Sequence, residues 1–215
     1  MQAVCFDMDG VLVDSESYWE PAERERIYPA AVPDVEVDPA ETTGMNYREI
    51  YDHLAERYPV ALSREEFLSL YDETADDIYG GQVALLEGLP DLLAALRAEG
   101  VALALVSSSP HAWIDVVLER FDLGDAFDAV ISAEDVDAPG KPEPYVYEHA
   151  AGALGVDPRA AVAVEDSRHG VAAAVAAGMT AVGYRSASNR TVDLSRADVV
   201  VERPDELRSA LLERV

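Results

Sequence analysis

Residues 2–10 read Gln-Ala-Val-Cys-Phe-Asp-Met-Asp-Gly, a short apolar run that stops at two aspartates. The run lacks the strict alternation of a half-exposed strand and is typical of a strand that is buried on both faces. Five later runs rich in Val, Ala and Leu share this character. The six predicted strands cover residues 2–6, 101–107, 128–132, 160–164, 180–184 and 197–201.

Helical patterns separate the predicted strands. They cover residues 90–98, 110–121, 142–154 and 168–177. A strand followed by a helix, repeated along the chain, predicts an α/β fold with a doubly wound parallel sheet and right-handed crossovers. Such a sheet places the residues that follow each strand at one common edge, where ligands bind.

The stretch from Ser15 to about Leu85 interrupts this alternation. It contains no convincing strand, but residues 20–28, 46–58 and 64–79 have helical patterns, and the loops between them contain proline. We therefore predict an α/β core of residues 1–14 and 86–215 and an inserted helical subdomain of residues 15–85.

The chain carries a large excess of negative charge. Lys and Arg number 16 against 42 Asp and Glu, a formal net charge of −26 at pH 7, while 49% of the residues are hydrophobic and can form a core. Nucleic acid and membrane surfaces are excluded as partners, because binding phosphate groups requires clustered basic residues. Like charges destabilise a compact chain unless salt screens them, so we expect a halophilic protein.

Nothing in the chain suggests secretion or membrane insertion. The amino terminus lacks the basic and then apolar pattern of a signal peptide, and the apolar runs are too short to span a membrane. Cys5 is the only cysteine, which excludes an internal disulfide and fits a reducing compartment. We expect a cytoplasmic monomer.

Polar side chains follow four of the predicted strands. They are Asp7 and Asp9 after the first strand, Ser107, Ser108 and Ser109 after the second, Lys141 after a loop from the third, and Glu165 and Asp166 after the fourth. Because the carboxyl ends of parallel strands share one edge, these carboxylates, hydroxyls and one ammonium predict a ligand site there.

The acidic residues of this set predict a metal. Asp7 and Asp9 are two residues apart and point to the same side of an extended chain. Together with Glu165 and Asp166 they would repel one another unless a cation neutralised them. An all-oxygen set favours Mg²⁺. The alternative, in which Asp9 and Gly10 form only a hairpin turn, is less favoured because no partner strand follows nearby.

The single lysine and the serines predict an anion site. Lys141 is the only lysine among the 16 basic residues. It could be an ordinary solvated lysine, but its uniqueness favours a contact with a phosphate or an aspartate. Ser109 before Pro110 fits a helix N-cap, and capping is the preferred interpretation of that segment. Ser107 and Ser108 are then left to bind an anion.

Four motifs in this order resemble the haloacid dehalogenase superfamily of phosphohydrolases. Within it they resemble the branch with a helical cap, which includes β-phosphoglucomutases and phosphoglycolate-type phosphatases. The motifs are Phe6-Asp7-Met8-Asp9-Gly10-Val11-Leu12-Val13-Asp14-Ser15-Glu16, Val106-Ser107-Ser108-Ser109, Gly140-Lys141-Pro142-Glu143-Pro144 and Val164-Glu165-Asp166-Ser167-Arg168-His169-Gly170. The resemblance covers nearly the whole chain and implies a Rossmann-like core with the inserted subdomain as its cap.

The resemblance also implies a role for each motif residue. Asp7 is implied as the nucleophile that forms an aspartyl-phosphate, and Asp9 as the acid and base of the two steps. The implied Mg²⁺ ligands are Asp7, Asp9 through its backbone carbonyl, Asp166, and Glu165 directly or through water. Ser107 and Lys141 would hold the transferring phosphoryl group.

Substrate choice in this family belongs largely to the cap, where the resemblance is thinner. Trp19 stands where β-phosphoglucomutases have a histidine, and Tyr47 where they have an arginine that grips a second phosphate. Arg48 is adjacent but points about 100° away on a helix. We therefore predict a phosphatase acting on a small phosphorylated metabolite. Trp19, Tyr47 and Arg48 are its candidate substrate contacts, with packing as their alternative role.

A β-phosphoglucomutase-type sugar phosphomutase is the main alternative function. A haloacid dehalogenase, which attacks carbon without needing Mg²⁺, fits less well because it leaves Asp9 and the pair Glu165 and Asp166 without a role. A non-catalytic phosphate-binding protein is also less favoured, because the set of chemical residues is complete.

Overall fold

The computed structural model describes residues 2–42 and 45–215, and the chain divides into two units. The first unit comprises Met1–Asp14 and Ala84–Val215, and the second comprises Ser15–Val83. The first unit resumes slightly earlier than the predicted residue 86. Within the described residues, no helix combines the length and the apolar character that a membrane span requires.

A six-stranded parallel sheet forms the centre of the first unit. Its strands are β1 (Ala3–Phe6), β2 (Ala102–Ser107), β3 (Ala129–Ser132), β4 (Ala161–Glu165), β5 (Thr180–Tyr184) and β6 (Val199–Val201). They lie in the order β3-β2-β1-β4-β5-β6, and every neighbouring pair is parallel. The predicted doubly wound parallel sheet is confirmed, and each strand end lies close to its predicted position.

The strand order reverses beside β1. Strands β2 and β3 lie on one side of it, and β4, β5 and β6 lie on the other. Phe6 at the end of β1 is aligned with Leu105 of β2 and Val164 of β4. Ligands of doubly wound sheets bind outside the carboxyl ends of the strands at this reversal. The residues that follow Phe6 therefore lie where a ligand is expected to bind.

The second unit is helical. Its α-helices are α1 (Glu16–Ala22), α2 (Tyr28–Ala31), α3 (Tyr47–Arg57) and α4 (Arg64–Asp77). A π-helical turn, Glu23–Ile27, joins α1 to α2, and a second one, Ile78–Gln82, follows α4. Both α3 and α4 begin with a capping box, which explains why their starts are close to the predicted ones.

The first helical stretch begins earlier than predicted. A start at residue 20 would put Pro21 in the first turn, where proline is preferred. The structure instead places Pro21 inside α1, which begins at Glu16. Helix α1 therefore includes this proline, and the π-helical turn begins two residues after it.

The described residues of the first unit form five α-helices. They are α5 (Leu89–Ala98), α6 (His111–Arg120), α7 (Tyr145–Leu154), α8 (Arg168–Ala176) and α9 (Pro204–Leu212). Helices α7 and α8 share a buried hydrophobic cluster with β1, to which β1 contributes Ala3 and Cys5. This cluster fixes α7 and α8 on the sheet, at the end of which the polar residues collect.

Two helices differ from the sequence expectation. Helix α7 begins at Tyr145 rather than at residue 142, because Glu143 precedes Pro144 and a residue before proline is restricted away from helical angles. Helix α9 was not predicted, although Pro204 at its start and two acidic residues in its first turn are typical start signals.

Candidate active site

The polar site lies beyond the end of β1, in the first unit. The backbone N–H of Asp7 donates to the carbonyl of Val164 at 3.0 Å, which continues the pairing of β1 with β4 by one residue. The Asp7 side chain is thereby held beside the residues that follow β4. The structure brings these strand ends together at the predicted edge.

Lys141 lies at the centre of the site. Its Nζ donates to Asp7 Oδ1 at 2.7 Å, to Glu165 Oε1 at 2.6 Å and to the Val106 carbonyl at 3.4 Å. The side chain is only 7% exposed. The solvated alternative for this lysine is therefore wrong, since its ammonium is buried between two carboxylates.

Glu165 is fully buried and held from several sides. Its Oε1 accepts a hydrogen bond from the Tyr147 hydroxyl at 2.6 Å in addition to the one from Lys141, and its Oε2 accepts one from Ser167 Oγ at 3.1 Å. A Cβ at Gly170 would lie 1.9 Å from the Glu165 carboxyl carbon, so only glycine leaves room here. The Glu165 carboxylate thus has one fixed orientation.

Asp166 is fixed next to this group by Asn189. The Asn189 amide donates to the Asp166 carbonyl at 2.8 Å, to its Oδ2 at 3.4 Å and to the Tyr184 carbonyl at 2.9 Å. Gly10 has a φ of +74°, and a Cβ on it would lie 2.0 Å from Asp166 Oδ2. The glycine is therefore required both for its backbone angle and for the approach of Asp166.

Three carboxylates form a candidate metal centre. One oxygen each from Asp7, Glu165 and Asp166 lie within 4.8 Å of one another, and all three residues are buried. Hard oxygen donors of this kind suit Mg²⁺. The fourth predicted ligand is the backbone carbonyl of Asp9. The group of three carboxylates consists of side-chain oxygens, so the role of this carbonyl stays a prediction.

The charges of these side chains favour a cation at the site. Burial raises the pKa of Asp7, and the nearby carboxylates of Glu165 and Asp9 raise it further, while Lys141 opposes them. Burial lowers the pKa of Lys141, but Asp7 and Glu165 more than offset this and the pKa is raised overall. Burial and Glu165 raise the pKa of Tyr147, so that it stays a neutral donor. One ammonium does not balance the carboxylates, and a divalent cation would complete the neutralisation.

The serines at the end of β2 differ from their predicted arrangement. Helix α6 begins at His111, and Pro110 rather than Ser109 occupies the N-cap position. The Ser109 hydroxyl instead donates to Asp9 Oδ2 at 2.9 Å, so its assignment as a capping residue is wrong. Ser107 is fully buried and its Oγ accepts from the Ser109 N–H at 3.0 Å, whereas Ser108 is exposed.

The three remaining predicted residues lie in the second unit, within an aromatic cluster. Trp19 stacks on Tyr71 with ring centroids 5.8 Å apart and donates from Nε1 to the Tyr79 hydroxyl at 3.1 Å. Tyr47 is buried against the same Tyr71 ring, and the Arg48 guanidinium lies 5.0 Å from the Tyr47 centroid. These contacts favour the packing alternative for Trp19 and Tyr47, and their role in recognition stays a prediction.

Two residues of the site were missed by sequence reasoning. Tyr147 lies on the buried face of α7, where an aromatic residue is typical of the hydrophobic core. Asn189 lies in a loop after β5. Neither belongs to a motif that suggested chemistry. Only their side-chain contacts with Glu165 and Asp166 identify them.

Comparison with known proteins gives matches along most of the chain. A family model described as haloacid dehalogenase-like hydrolase matches residues 1–178. Hexitol phosphatase B of Escherichia coli strain K12 is 36% identical over 183 residues, which is 84% of this chain and 82% of the relative. A phosphorylated carbohydrates phosphatase of Thermotoga maritima is 30% identical over 215 residues and 99% of both chains.

A solved structure matches this chain along its length. The crystal structure of β-phosphoglucomutase from Clostridium difficile superposes with a TM-score of 0.78 at 26% identity, covering 100% of this chain and 96% of that one. The likeness therefore extends over both units of the chain.

Proposed function

Because this chain belongs to the haloacid dehalogenase-like hydrolase family, we propose that it cleaves a small phosphomonoester through an aspartyl-phosphate on Asp7, with Mg²⁺ bound. The family and the phosphatase relatives make the chain a phosphoric monoester hydrolase. The observation that carries the mechanism is the buried group of Asp7, Lys141 and the two carboxylates at the end of β4, Glu165 and Asp166.

The first step uses Asp7 as nucleophile and Asp9 as acid. A carboxylate oxygen of Asp7 forms a bond to phosphorus, and the bond from phosphorus to the ester oxygen breaks. Asp9 gives a proton to that leaving oxygen, so the product is a neutral alcohol. Lys141 and Ser107 hold the phosphoryl group, whose negative charge spreads over its oxygens in the transition state.

The second step releases inorganic phosphate. Asp9, now a carboxylate, takes a proton from a water molecule as the water oxygen bonds to phosphorus. The bond between phosphorus and Asp7 breaks, which restores the free aspartate. The two steps together consume one water and return both aspartates to their starting protonation states.

The residues that would hold Mg²⁺ are Asp7, Asp166 and the Asp9 carbonyl, with Glu165 close by. When bound, the cation would neutralise the Asp7 carboxylate, so that one anion can approach another. The oxygens of Glu165 already accept hydrogen bonds from Lys141, Tyr147 and Ser167, which favours a water-mediated contact for this residue.

The names of the relatives suggest a class of substrate. They are a hexitol phosphatase and a phosphorylated carbohydrates phosphatase, so we propose a sugar phosphate or sugar-alcohol phosphate for this chain. The likeness to a β-phosphoglucomutase keeps a mutase as second candidate. Trp19 and Tyr47 stand in place of the histidine and arginine of the mutases, and this favours hydrolysis.

Phosphate release should depend on Mg²⁺. The purified chain in molar KCl, given p-nitrophenyl phosphate or a panel of sugar and sugar-alcohol phosphates, is expected to release phosphate with Mg²⁺ and to lose this activity in EDTA. β-Glucose 1-phosphate should be hydrolysed rather than isomerised. Isomerisation without phosphate release would favour the mutase, and inactivity on every ester would contradict the proposal.

The net charge leads us to propose that the protein works as a monomer in a salt-rich cytoplasm. Raising salt from about 0.1 M to about 1 M shortens the screening length from about 10 Å to about 3 Å, which weakens the repulsion among the acidic residues. We therefore expect the melting temperature Tm to rise by about 5 °C or more between these KCl concentrations.

A charge-reduced variant provides the control for this salt effect. Glu36, Glu56 and Glu99 are exposed, and replacing all three with glutamine lowers the negative charge without touching the site. The gain in Tm with salt should be smaller in this variant. Equal stability of the wild type in low and molar KCl would contradict the halophilic proposal.

A further inference from the structure

The hydroxyl of Ser109 is directed at the Asp9 carboxylate, on which the proposed chemistry depends. We infer that Ser109 is a positioning residue for the proton transfers of Asp9, an inference that rests on the proposed function. The Ser109 Oγ donates to Asp9 Oδ2 at 2.9 Å, although the two residues are 100 positions apart in the sequence. Ser109 is only 8% exposed, so this hydrogen bond is shielded from most of the competing water.

Ser109 is itself held by the ends of two strands. Its backbone N–H donates to the Oγ of Ser107, the last residue of β2, at 3.0 Å, and its carbonyl accepts from the Oγ of Ser132, the last residue of β3, at 2.7 Å. Ser107 and Ser132 are fully buried. Pro110 follows directly and restricts the backbone further.

Ser132 is itself held by hydrogen bonds to residues that follow it in the chain. Its hydroxyl accepts from the Glu134 N–H at 3.1 Å, and its backbone N–H donates to Asp135 Oδ2 at 2.8 Å. A continuous path of hydrogen bonds therefore runs from the turn after β3 through Ser132 and Ser109 to Asp9. The ends of two strands, rather than a flexible loop, therefore hold the backbone of Ser109 in place.

This arrangement assigns different tasks to the two oxygens of Asp9. A serine hydroxyl has one proton, and here it is given to Oδ2, which acts as an acceptor. The proton that Asp9 transfers is then carried on Oδ1. It passes from Oδ1 to the leaving ester oxygen as the bond to phosphorus breaks, and a proton returns to Oδ1 from the attacking water in the second step.

Loss of the Ser109 hydroxyl should slow the first step only for leaving groups that require a proton. An alkoxide is a poor leaving group, so an alkyl phosphate depends on Asp9 for the first step. A nitrophenolate leaves without being protonated, so the first step with p-nitrophenyl phosphate does not depend on Asp9 acting as an acid. A residue that only stabilised the loop would affect both substrates equally.

The test compares Ser109→Ala with wild type on these two classes of ester in the presence of Mg²⁺. For an alkyl phosphate, kcat/KM is expected to fall by about tenfold or more. For p-nitrophenyl phosphate, kcat/KM should stay within about twofold while kcat falls, because hydrolysis of the aspartyl-phosphate still requires Asp9 as base. Ser109→Thr keeps the hydroxyl and should recover most of the alkyl phosphatase activity.

The ratio of the two kcat/KM values does not depend on the fraction of the variant that is folded, so a loss of stability cannot imitate the effect. Ser209→Ala removes a serine hydroxyl that bonds a backbone carbonyl in α9, and this variant should leave the ratio unchanged. Equal losses on both esters, or no loss on either, would overturn the inference about Ser109. Inactivity of the wild type on both esters would instead contradict the proposed function.

Discussion

Replacing Asp7 with asparagine is expected to abolish turnover while leaving the chain folded. The asparagine amide has almost the same shape but is a poor nucleophile, so no aspartyl-phosphate forms. Loss of a nucleophile typically lowers kcat by several orders of magnitude, and we expect a loss on the order of 10⁴-fold or more here. The measurement is steady-state phosphate release from p-nitrophenyl phosphate and from the best sugar phosphate, with Mg²⁺ present.

The fold should tolerate this change for an electrostatic reason. The pKa of Asp7 is raised by burial and by the neighbouring carboxylates of Glu165 and Asp9, so its charge is costly in the folded state. Removing the charge removes that cost. The asparagine oxygen still accepts a hydrogen bond from Lys141, which donates to Oδ1 in the wild type.

The matched control is Asp125→Asn, which makes the same chemical change at an exposed turn. It should keep full activity. Mass spectrometry of acid-quenched reactions should find a phosphorylated Asp7 peptide in this control but not in the Asp7 variant. Activity of the Asp7 variant within about tenfold of wild type would exclude Asp7 as the nucleophile.

The sheet and the membership of the family were predictable because both depend on local sequence. Buried parallel strands give short apolar runs, and all six runs lie in the observed sheet. The carboxyl ends of parallel strands meet at one edge, so the sequence alone assigns Asp7, Ser107 and Glu165 to one site. The haloacid dehalogenase-like family indicated by the four motifs is confirmed by the matching family model.

The contacts that complete the site were not predictable, because they depend on which distant side chains meet. Ser109 matches the local pattern of an N-cap, and nothing in the segment indicates that its hydroxyl reaches Asp9. Tyr147 follows the helical spacing of a core residue, yet its hydroxyl lies 2.6 Å from Glu165. Local patterns report the face on which a residue lies, whereas tertiary packing decides its polar partner.

Glu165 has more contacts than the resemblance implies. The sequence indicates an acidic residue that requires a partner when buried, and a metal is one such partner. The structure supplies Lys141, Tyr147 and Ser167 as partners already. This makes Glu165 foremost the residue that holds the ammonium of Lys141 in place, and its contact with a cation stays a prediction.

Replacing Lys141 with alanine is expected to damage both activity and stability. The ammonium lies 2.7 Å from Asp7 and 2.6 Å from Glu165, and its loss leaves two buried carboxylates without a counter-charge. Breaking a buried ion pair by removing one partner typically costs about 3–5 kcal/mol of unfolding free energy. We expect kcat/KM to fall by about 10²-fold or more as well, because a preorganised positive charge is removed from the transferring phosphoryl group.

The stability loss should depend on pH in a defined direction. Burial raises the pKa of Asp7, and without Lys141 the opposing attraction is gone, so the folded-state pKa rises further above the unfolded one. When the folded-state pKa of a carboxyl is raised, the free energy of unfolding of the protein falls as the pH rises through that pKa. The free energy of unfolding of Lys141→Ala should therefore lie further below that of the wild type near pH 8 than near pH 5. The measurement is denaturant unfolding in EDTA.

A second substitution separates the structural and the chemical role of Lys141. Glu165→Gln in the Lys141→Ala background removes one of the two unpaired charges, and the amide can still accept from Tyr147, so much of the stability should return. The activity should not return, because no ammonium remains to hold the phosphoryl group. Lys141→Arg keeps the charge but places a planar guanidinium in a space shaped for a compact ammonium, so it should recover stability better than turnover. If the double variant regained near wild-type kcat/KM along with its stability, Lys141 would be a structural counter-ion and the phosphoryl group would be held by other residues.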